Sequence, residues 1–276
     1  MRPQNRKLYT VITGASEGLG KSFAIECAER KLDMVLVALP ASGLEKLASF
    51  ISFHYHVEVI CVEIDLSSEN SCQQLFNIIK DKDIQVNMLI NNAGLGGTTW
   101  FDEADPDYFK KQIQVNILAT VQLTHLLLPV LCRQPSYILN VSSLSTFFFL
   151  PKKQVYGASK SFIYYFSKSL RRELKKDGVT VSVVCPGGIN SNPNQYLLNQ
   201  ALYGIAKLSV MNPELVAKIA INGLLNGNEV IVPGWYNKLF LALNYIIPQR
   251  IKDNISEANM KKIRPSALSS VLRFDT

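Results

Sequence analysis

Seven short apolar runs recur along this chain, and segments with the spacing of amphipathic helices separate them. The runs fall at residues 8–13, 34–39, 57–64, 87–90, 137–141, 179–185 and 229–232. Mostly apolar runs of this length suit buried strands, and a helical crossover between two of them leaves them parallel. The alternation therefore predicts an α/β chain, a doubly wound parallel sheet with helices on both sides. Helices are expected over about 21–30, 43–53, 68–80, 107–131, 156–176 and 213–226. Ser67 or Ser68 is expected to cap the third, and Asn212 the last.

Ligands of such a sheet bind beyond the carboxyl ends of its strands. Several conspicuous groups fall at those ends. The first run opens into Thr13-Gly14-Ala-Ser16-Glu17-Gly18-Leu19-Gly20, and a helix follows. A glycine turn between a strand and a helix lets the backbone approach a pyrophosphate, and the helix start offers free N–H groups to it. Asp65 ends the third run, and Asn91-Asn92-Ala93-Gly94 ends the fourth. The fifth ends at Ser142 and Ser143, and Pro186-Gly187 follows the sixth.

The chemistry centres on Tyr156-Gly-Ala-Ser-Lys160. Residues four apart share one face of a helix. A cation beside a phenol favours the phenolate, so Lys160 is expected to lower the pKa of Tyr156 and poise it for proton transfer. Ser143 lies thirteen residues upstream, in Leu-Asn-Val-Ser-Ser.

The chain of 276 residues is 47% hydrophobic and 18% charged, which suits one well-buried domain. No repeat or linker divides it. We expect one domain over residues 1–255, with an apolar, aromatic lid at about 189–212, and a basic, mobile tail over 256–276. The five cysteines are scattered without a Cys-x-x-Cys pair, as buried thiols of a reducing compartment would be. Residues 1–7 hold no apolar core of signal-peptide length, and no uninterrupted run of bilayer-spanning length occurs. A cytoplasmic protein is expected. His54 and His56 near a strand start, and His125, lack metal-ligand spacing, so no catalytic metal is expected.

With these residues together, the chain resembles the short-chain dehydrogenase/reductase family. The motifs run from residue 8 to residue 232 in the family's order: the glycine turn, Asp65, Asn91 to Gly94, Asn116, Ser143, Tyr156 with Lys160, and Pro186-Gly187. The resemblance implies a Rossmann-like fold and an NAD(P)-dependent oxidoreductase that interconverts a secondary alcohol and a ketone. It implies a catalytic set of Asn116, Ser143, Tyr156 and Lys160. In it Tyr156 is the acid/base, Ser143 binds the substrate oxygen, and Asn116 holds a water linking Lys160 to solvent. It implies cofactor contacts from Gly14, Ser16, Glu17, Gly18, Leu19, Gly20, Asp65, Asn92, Ala93, Gly94, Tyr156, Lys160, Pro186, Gly187 and Ile189. Departures are Asn87 before the Asn-Asn-Ala-Gly turn, Ser191 in place of a threonine, and Leu39-Pro40 in place of an arginine after the second run. That end carries no carboxylate to hold a free ribose 2′-hydroxyl, so a slight preference for NADP(H) over NAD(H) is expected.

The lid and Phe147 to Leu150 suggest a bulky apolar substrate, a steroid or long acyl chain. A non-catalytic redox sensor or scaffold is the reading of another class, and the intact catalytic set argues against it. A net charge of +7 suits an acidic partner or an anionic membrane surface. The basic face of the 156–176 helix raises an acyl-carrier contact, and an apolar segment at 235–247 raises a peripheral membrane contact. No motif points to nucleic acid. Apolar residues on more than one helix face, with the resemblance, lead us to expect a homodimer or homotetramer.

Overall fold

Strand β1 (Leu8–Thr13) lies near the centre of a seven-stranded, wholly parallel sheet whose order is β3-β2-β1-β4-β5-β6-β7. The computed structural model describes residues 7–131, 135–150, 152–200, 202, 205–248, 250–251 and 254. From β1 the chain passes through α1 (Gly18–Glu29), β2 (Asp33–Ala38), α2 (Leu44–Tyr55), β3 (Val59–Glu63) and α3 (Ser71–Asp81). It then crosses back over β1 into β4 (Gln85–Asn91). The second half comprises α4 (Pro106–Ile113), α5 (Ala119–Leu127), β5 (Ser136–Val141), α6 (Gln154–Glu173) and β6 (Val179–Val184). Two short helices follow, α7 (Pro193–Gln200) and α8 (Ile205–Leu208), then α9 (Pro213–Leu225), β7 (Val230–Ile231) and α10 (Trp235–Ile246). The direction of winding reverses between β1 and β4, which opens a crevice at their carboxyl ends.

Strand side chains alternate between two apolar layers, as period-two geometry requires. Ile12, Met34, Leu36, Ile90 and Val184 join one cluster with Phe23, Leu44, Val216 and Leu224 from α1, α2 and α9. Val11, Val35, Val37, Leu89 and Val181 join the other with Leu75, Ile79, Leu123 and Leu127 from α3 and α5. Both faces are covered, and this is why most strand residues are apolar on both sides of the sheet.

The differences from expectation sit at element ends. Helix α1 starts at Gly18 rather than residue 21, so the last two motif glycines form its first turn. Helix α3 starts at Ser71, not at a cap on Ser67 or Ser68. Ser67 instead donates from its amide and hydroxyl to Asp65 Oδ1, at 2.9 and 2.7 Å. The expected 107–131 helix is continuous but contains a π turn over Gln114–Leu118. By length and composition, Pro106–Val130 is apolar enough to cross a bilayer, which counting uninterrupted runs did not reveal. Its Ala119, Leu123 and Leu127 pack into the second apolar layer, as a core helix does. His54 and His56 lie at the end of α2 rather than at a strand start, and His125 is exposed. The expected tail at 256–276 and Cys132 lie outside the described residues.

Candidate active site

The crevice is built first by the end of β1. Thr13 Oγ1 accepts hydrogen bonds from the amides of Asn92 and Ala93, both at 3.0 Å. Asn92 Nδ2 donates back to the carbonyls of Thr13 at 2.9 Å and Gly14 at 3.1 Å. The β1 and β4 ends are thereby locked side by side. Gly14 and Gly18 have φ of 64° and 51°, which side chains rarely adopt. A Cβ on Gly20 would overlap the Gly14 carbonyl, and one on Gly18 would meet Ser191 Cβ at 2.7 Å. Glu17 is exposed, Ser16 half-buried and Leu19 buried. No side chain caps α1 and no acidic residue occupies its first turn. Its leading N–H groups and positive dipole end therefore suit a phosphate, and the glycine cradle fits a dinucleotide.

Asp65 stands beyond β3. Burial pushes its carboxyl up, but the Ser67 hydrogen bonds and Lys111 at 3.8 Å outweigh this and hold it below the usual range. Glu63, which the sequence reading passed over, is paired in register with Ala38 at the end of β2. Its carboxylate accepts from the Ala41 amide at 3.4 Å. The signal was available, since Glu63 lies two residues before Asp65 and so on the same strand face.

The catalytic candidates meet at the ends of β5 and β6. The two serines that follow β5 diverge. Ser142 is buried and donates to the Lys160 carbonyl at 2.7 Å, fixing α6 to the sheet. Ser143 is half-buried, in extended backbone, with its hydroxyl near that of Tyr156. Lys160 is buried, 5% exposed, with Nζ donating to the Val141 carbonyl at 2.9 Å. That ammonium lies 5.9 Å from the Tyr156 ring centre. Burial lowers the Lys160 pKa to about 8. The expectation of a depressed phenol does not hold here. Burial raises the Tyr156 pKa, and the Ser143 hydrogen bond offsets only part of this. Lys160 is turned onto a backbone carbonyl, and the desolvation of the phenol dominates. Lys153, also missed, places Nζ 5.1 Å from the same ring.

Asn116 sits in the π turn, a distortion common at functional sites. Its Oδ1 accepts from the Leu95 amide at 2.7 Å, and its Nδ2 donates to the Leu95 carbonyl at 3.1 Å and Ser159 Oγ at 3.0 Å. Ser159 in turn donates to the Tyr156 carbonyl at 2.7 Å. The Asn116 side chain thus ties the loop after β4 to the Tyr156 turn. A Cβ on Gly94 would lie 3.2 Å from Lys160 Nζ and 3.3 Å from Asn116 Oδ1, so these three residues converge.

After β6 the chain leaves the sheet over residues 188–200 and 205–212 before α9. The base of this excursion is pinned by a parallel bridge between Ile189 and Met211. Buried Asn199 donates to the Ile189 carbonyl at 3.1 Å and to Asn190 Oδ1 at 2.9 Å. Pro186 accepts from the Leu144 amide at 2.8 Å, and Gly187 lies against the Ser209 carbonyl and Asn237. A separate cleft of about 360 Å³ holds none of these residues. It lies at the amino end of β6, lined by Arg171, Arg172 and Lys175. There Arg171 is a tether, donating to the carbonyls of Val181 and Gly227 at 2.6 Å each.

The arrangement can donate a proton from Tyr156 to an oxygen also held by Ser143. It predicts a pH effect. Deprotonating Lys160 removes the positive charge that supports a developing phenolate. The kcat/KM for ketone reduction, which reports free-enzyme groups, should fall as pH rises through about 8. A profile flat through that pH contradicts the role of Lys160.

A family model described as short chain dehydrogenase matches residues 9–201. Bovine very-long-chain 3-oxoacyl-CoA reductase is 34% identical over 185 residues, 64% of this chain and 58% of that protein. Human 17-beta-hydroxysteroid dehydrogenase type 3 is 32% identical over 242 residues, 82% of this chain and 76% of that protein. A short-chain dehydrogenase from Sphingobium yanoikuyae, solved in complex with NADPH, superposes with a TM-score of 0.74 at 25% identity. That match covers 94% of this chain and 97% of the other.

Proposed function

The chain belongs to the short-chain dehydrogenase family and is an oxidoreductase acting on CH–OH groups, and from that premise we propose that it interconverts a bulky apolar secondary alcohol and its ketone. The observation that carries this reading is the meeting of Ser143 and Tyr156 near buried Lys160, with only β4 between β5 and the strand that bears the glycine cradle. A nicotinamide dinucleotide, when bound, exchanges a hydride with the substrate carbon. Gly14, Ser16, Gly18, Leu19 and Gly20 would take its phosphates, Asp65 its adenine end, and Asn92 to Gly94 with Pro186, Gly187 and Ile189 its nicotinamide end.

The chain's own part is proton transfer and alignment. Ser143 orients the substrate oxygen. Tyr156, with its pKa raised, is protonated at neutral pH and gives its proton to that oxygen, which suits the reductive direction. Lys160 supports the phenolate left behind. Asn116 acts at one remove, holding Ser159 and Leu95 in place.

The apolar substrate class is supported by half-buried Phe147 and Phe148, exposed Phe149, and exposed Tyr196 and Leu197 on α7. The names of the bovine and human relatives, which refer to long acyl chains and steroids, point the same way. A panel of ketones followed at the reduced-nicotinamide absorbance tests it.

For the cofactor we propose a modest preference for NADP(H). Val37 to Pro40 offers no carboxylate, and Glu17 is exposed. The buried Ser42 hydroxyl, in the same loop, is without a protein partner among the described residues and would suit a phosphate oxygen. Glu63, beside Ala38, acts against that preference and keeps it small. Leu39 is 53% exposed, so Leu39→Arg should raise kcat/KM for NADPH by about tenfold, the worth of one charged hydrogen bond at ~1.5–3 kcal/mol. Wild-type kcat/KM for NADH tenfold above that for NADPH would contradict the preference.

We further propose a homodimer or homotetramer joined through α4 and α6. Phe162 and Tyr165 stand exposed on α6, at 42% and 69%, away from the sheet. Light scattering at micromolar concentration should give a multiple of the 30.8 kDa chain mass; a monomer mass contradicts the assembly.

A further inference from the structure

Helix α10 is amphipathic the wrong way round for a helix folded onto a domain. Trp235, Tyr236, Leu239, Leu243 and Ile246 recur at helical spacing and fall within about 100° of arc at 3.6 residues per turn. That arc faces outward: Trp235 is 68% exposed and Ile246 77%. The inward side carries asparagine. Asn237 is 1% exposed, and its Nδ2 donates to the carbonyls of Pro233 at 2.8 Å and Ser209 at 3.2 Å. Half-buried Asn244 lies on the same side. Among the described residues, only Leu241 from that side joins the apolar cluster around Leu144 and Val232. A surface helix ordinarily turns its apolar stripe to the core. Here polar side chains anchor the helix and the stripe is left to an outside partner.

Charge identifies the partner. From Trp235 to the end, the sequence holds seven lysines and arginines against three carboxylates, more than half of the net +7. Lys238 within α10 and Arg250 just beyond it are exposed. An apolar stripe led by tryptophan and tyrosine and flanked by cations is the composition that lies in the headgroup region of an anionic bilayer. Two basic copies of the segment would repel each other. At 12 residues, the helix is ~18 Å long, against ~30 Å for the hydrocarbon core, so it rests on the bilayer and does not cross it.

We propose that α10 docks this protein on an anionic phospholipid surface through Trp235, Tyr236, Leu239, Leu243 and Ile246. The Asn237 bond to Ser209, next to the Ile189–Met211 bridge, places the substrate excursion beside that surface. The docking does not depend on which ketone the enzyme takes.

The test uses the full chain carrying Trp100→Phe, which leaves Trp235 as its one tryptophan. Phosphatidylcholine vesicles with phosphatidylglycerol should shift its emission to the blue and carry the protein down on sedimentation. Pure phosphatidylcholine vesicles should do neither, and added salt should weaken the binding. Ile246→Asp and Leu243→Asp, both at exposed positions, should each weaken vesicle partitioning by about tenfold or more without changing Tm or the turnover of a soluble ketone. Lys238→Glu should weaken binding to the anionic vesicles. The proposal is overturned if anionic vesicles leave the protein in the supernatant, or if neutral vesicles bind it equally. It is also overturned if Trp235 already emits as a buried side chain without lipid, which would mean that the chain's own residues cover it. A drop in solution mass on Ile246→Asp with vesicle binding unchanged would assign the face to a second copy instead.

Discussion

Replacing Tyr156 by phenylalanine should lower kcat by about 10²–10⁴-fold, the usual worth of a positioned acid or base. Dinucleotide binding should stay nearly intact. The substitution removes one hydroxyl and keeps the ring that packs at the start of α6. The contact with the Ser143 hydroxyl is lost, but Ser143 retains its bond from the Ser145 amide at 3.1 Å, so the local turn should hold. Single-turnover rates and dinucleotide affinity by fluorescence titration separate the two effects. A variant that keeps more than about a hundredth of the wild-type kcat would remove Tyr156 from the proton-transfer role. Lys160→Ala should differ in kind. It empties a buried cation that supports the phenol and lies where Gly94 and Asn116 converge, so both kcat and dinucleotide affinity should fall.

The second large effect is expected at Gly20. An added methyl would overlap the Gly14 carbonyl and press on Asn92 Nδ2 at 2.6 Å. Neither neighbour can yield cheaply. The Gly14 carbonyl already accepts from Asn92, and Asn92 also bonds Thr13, so the turn and the β4 end would move together. Overpacking of this kind costs ~1–3 kcal/mol, and Gly20→Ala should lower Tm accordingly. Dinucleotide affinity should fall further than stability alone explains, because the displaced turn is the phosphate cradle. An alanine variant that binds dinucleotide with wild-type affinity would mean that the cradle lies elsewhere. Gly43, by contrast, has nothing within 4 Å of an added Cβ, and its φ of 77° is the only obstacle to substitution there.

What the sequence made legible follows from what its patterns encode. The strands were readable because burial on both faces leaves mostly apolar runs, and their parallel order follows from the helices between them. The glycine turn was readable as a turn, but not as the first turn of α1, since glycine signals both. The π turn at Asn116 was not readable. It inserts one residue into a helix without changing its composition. Ser142 and Ser143 could be told apart only by family spacing. In three dimensions they meet different turns of α6, Ser142 at the Lys160 carbonyl and Ser143 near the Tyr156 hydroxyl. The Tyr156 pKa was read in the wrong direction. Sequence spacing supplies the neighbouring cation, but the depth of burial and the Val141 carbonyl that holds Lys160 belong to the tertiary fold. Glu63 escaped attention because it matters only beside Ala38, a neighbour set by strand register. The outward stripe of α10 was visible as helical periodicity, but periodicity does not say which face is anchored.

The central claim, that this chain transfers a proton through Tyr156 while a bound nicotinamide reduces a bulky apolar ketone, is tested most directly by one comparison. Initial rates with NADPH should be measured for a ketone flanked by a large apolar group and for a short aliphatic ketone, with wild type and Tyr156→Phe side by side. The account predicts turnover by wild type, a higher kcat/KM for the bulky ketone, and loss of both activities in the variant. Bound dinucleotide with no turnover of either ketone by wild type, or turnover that survives in Tyr156→Phe, would contradict it.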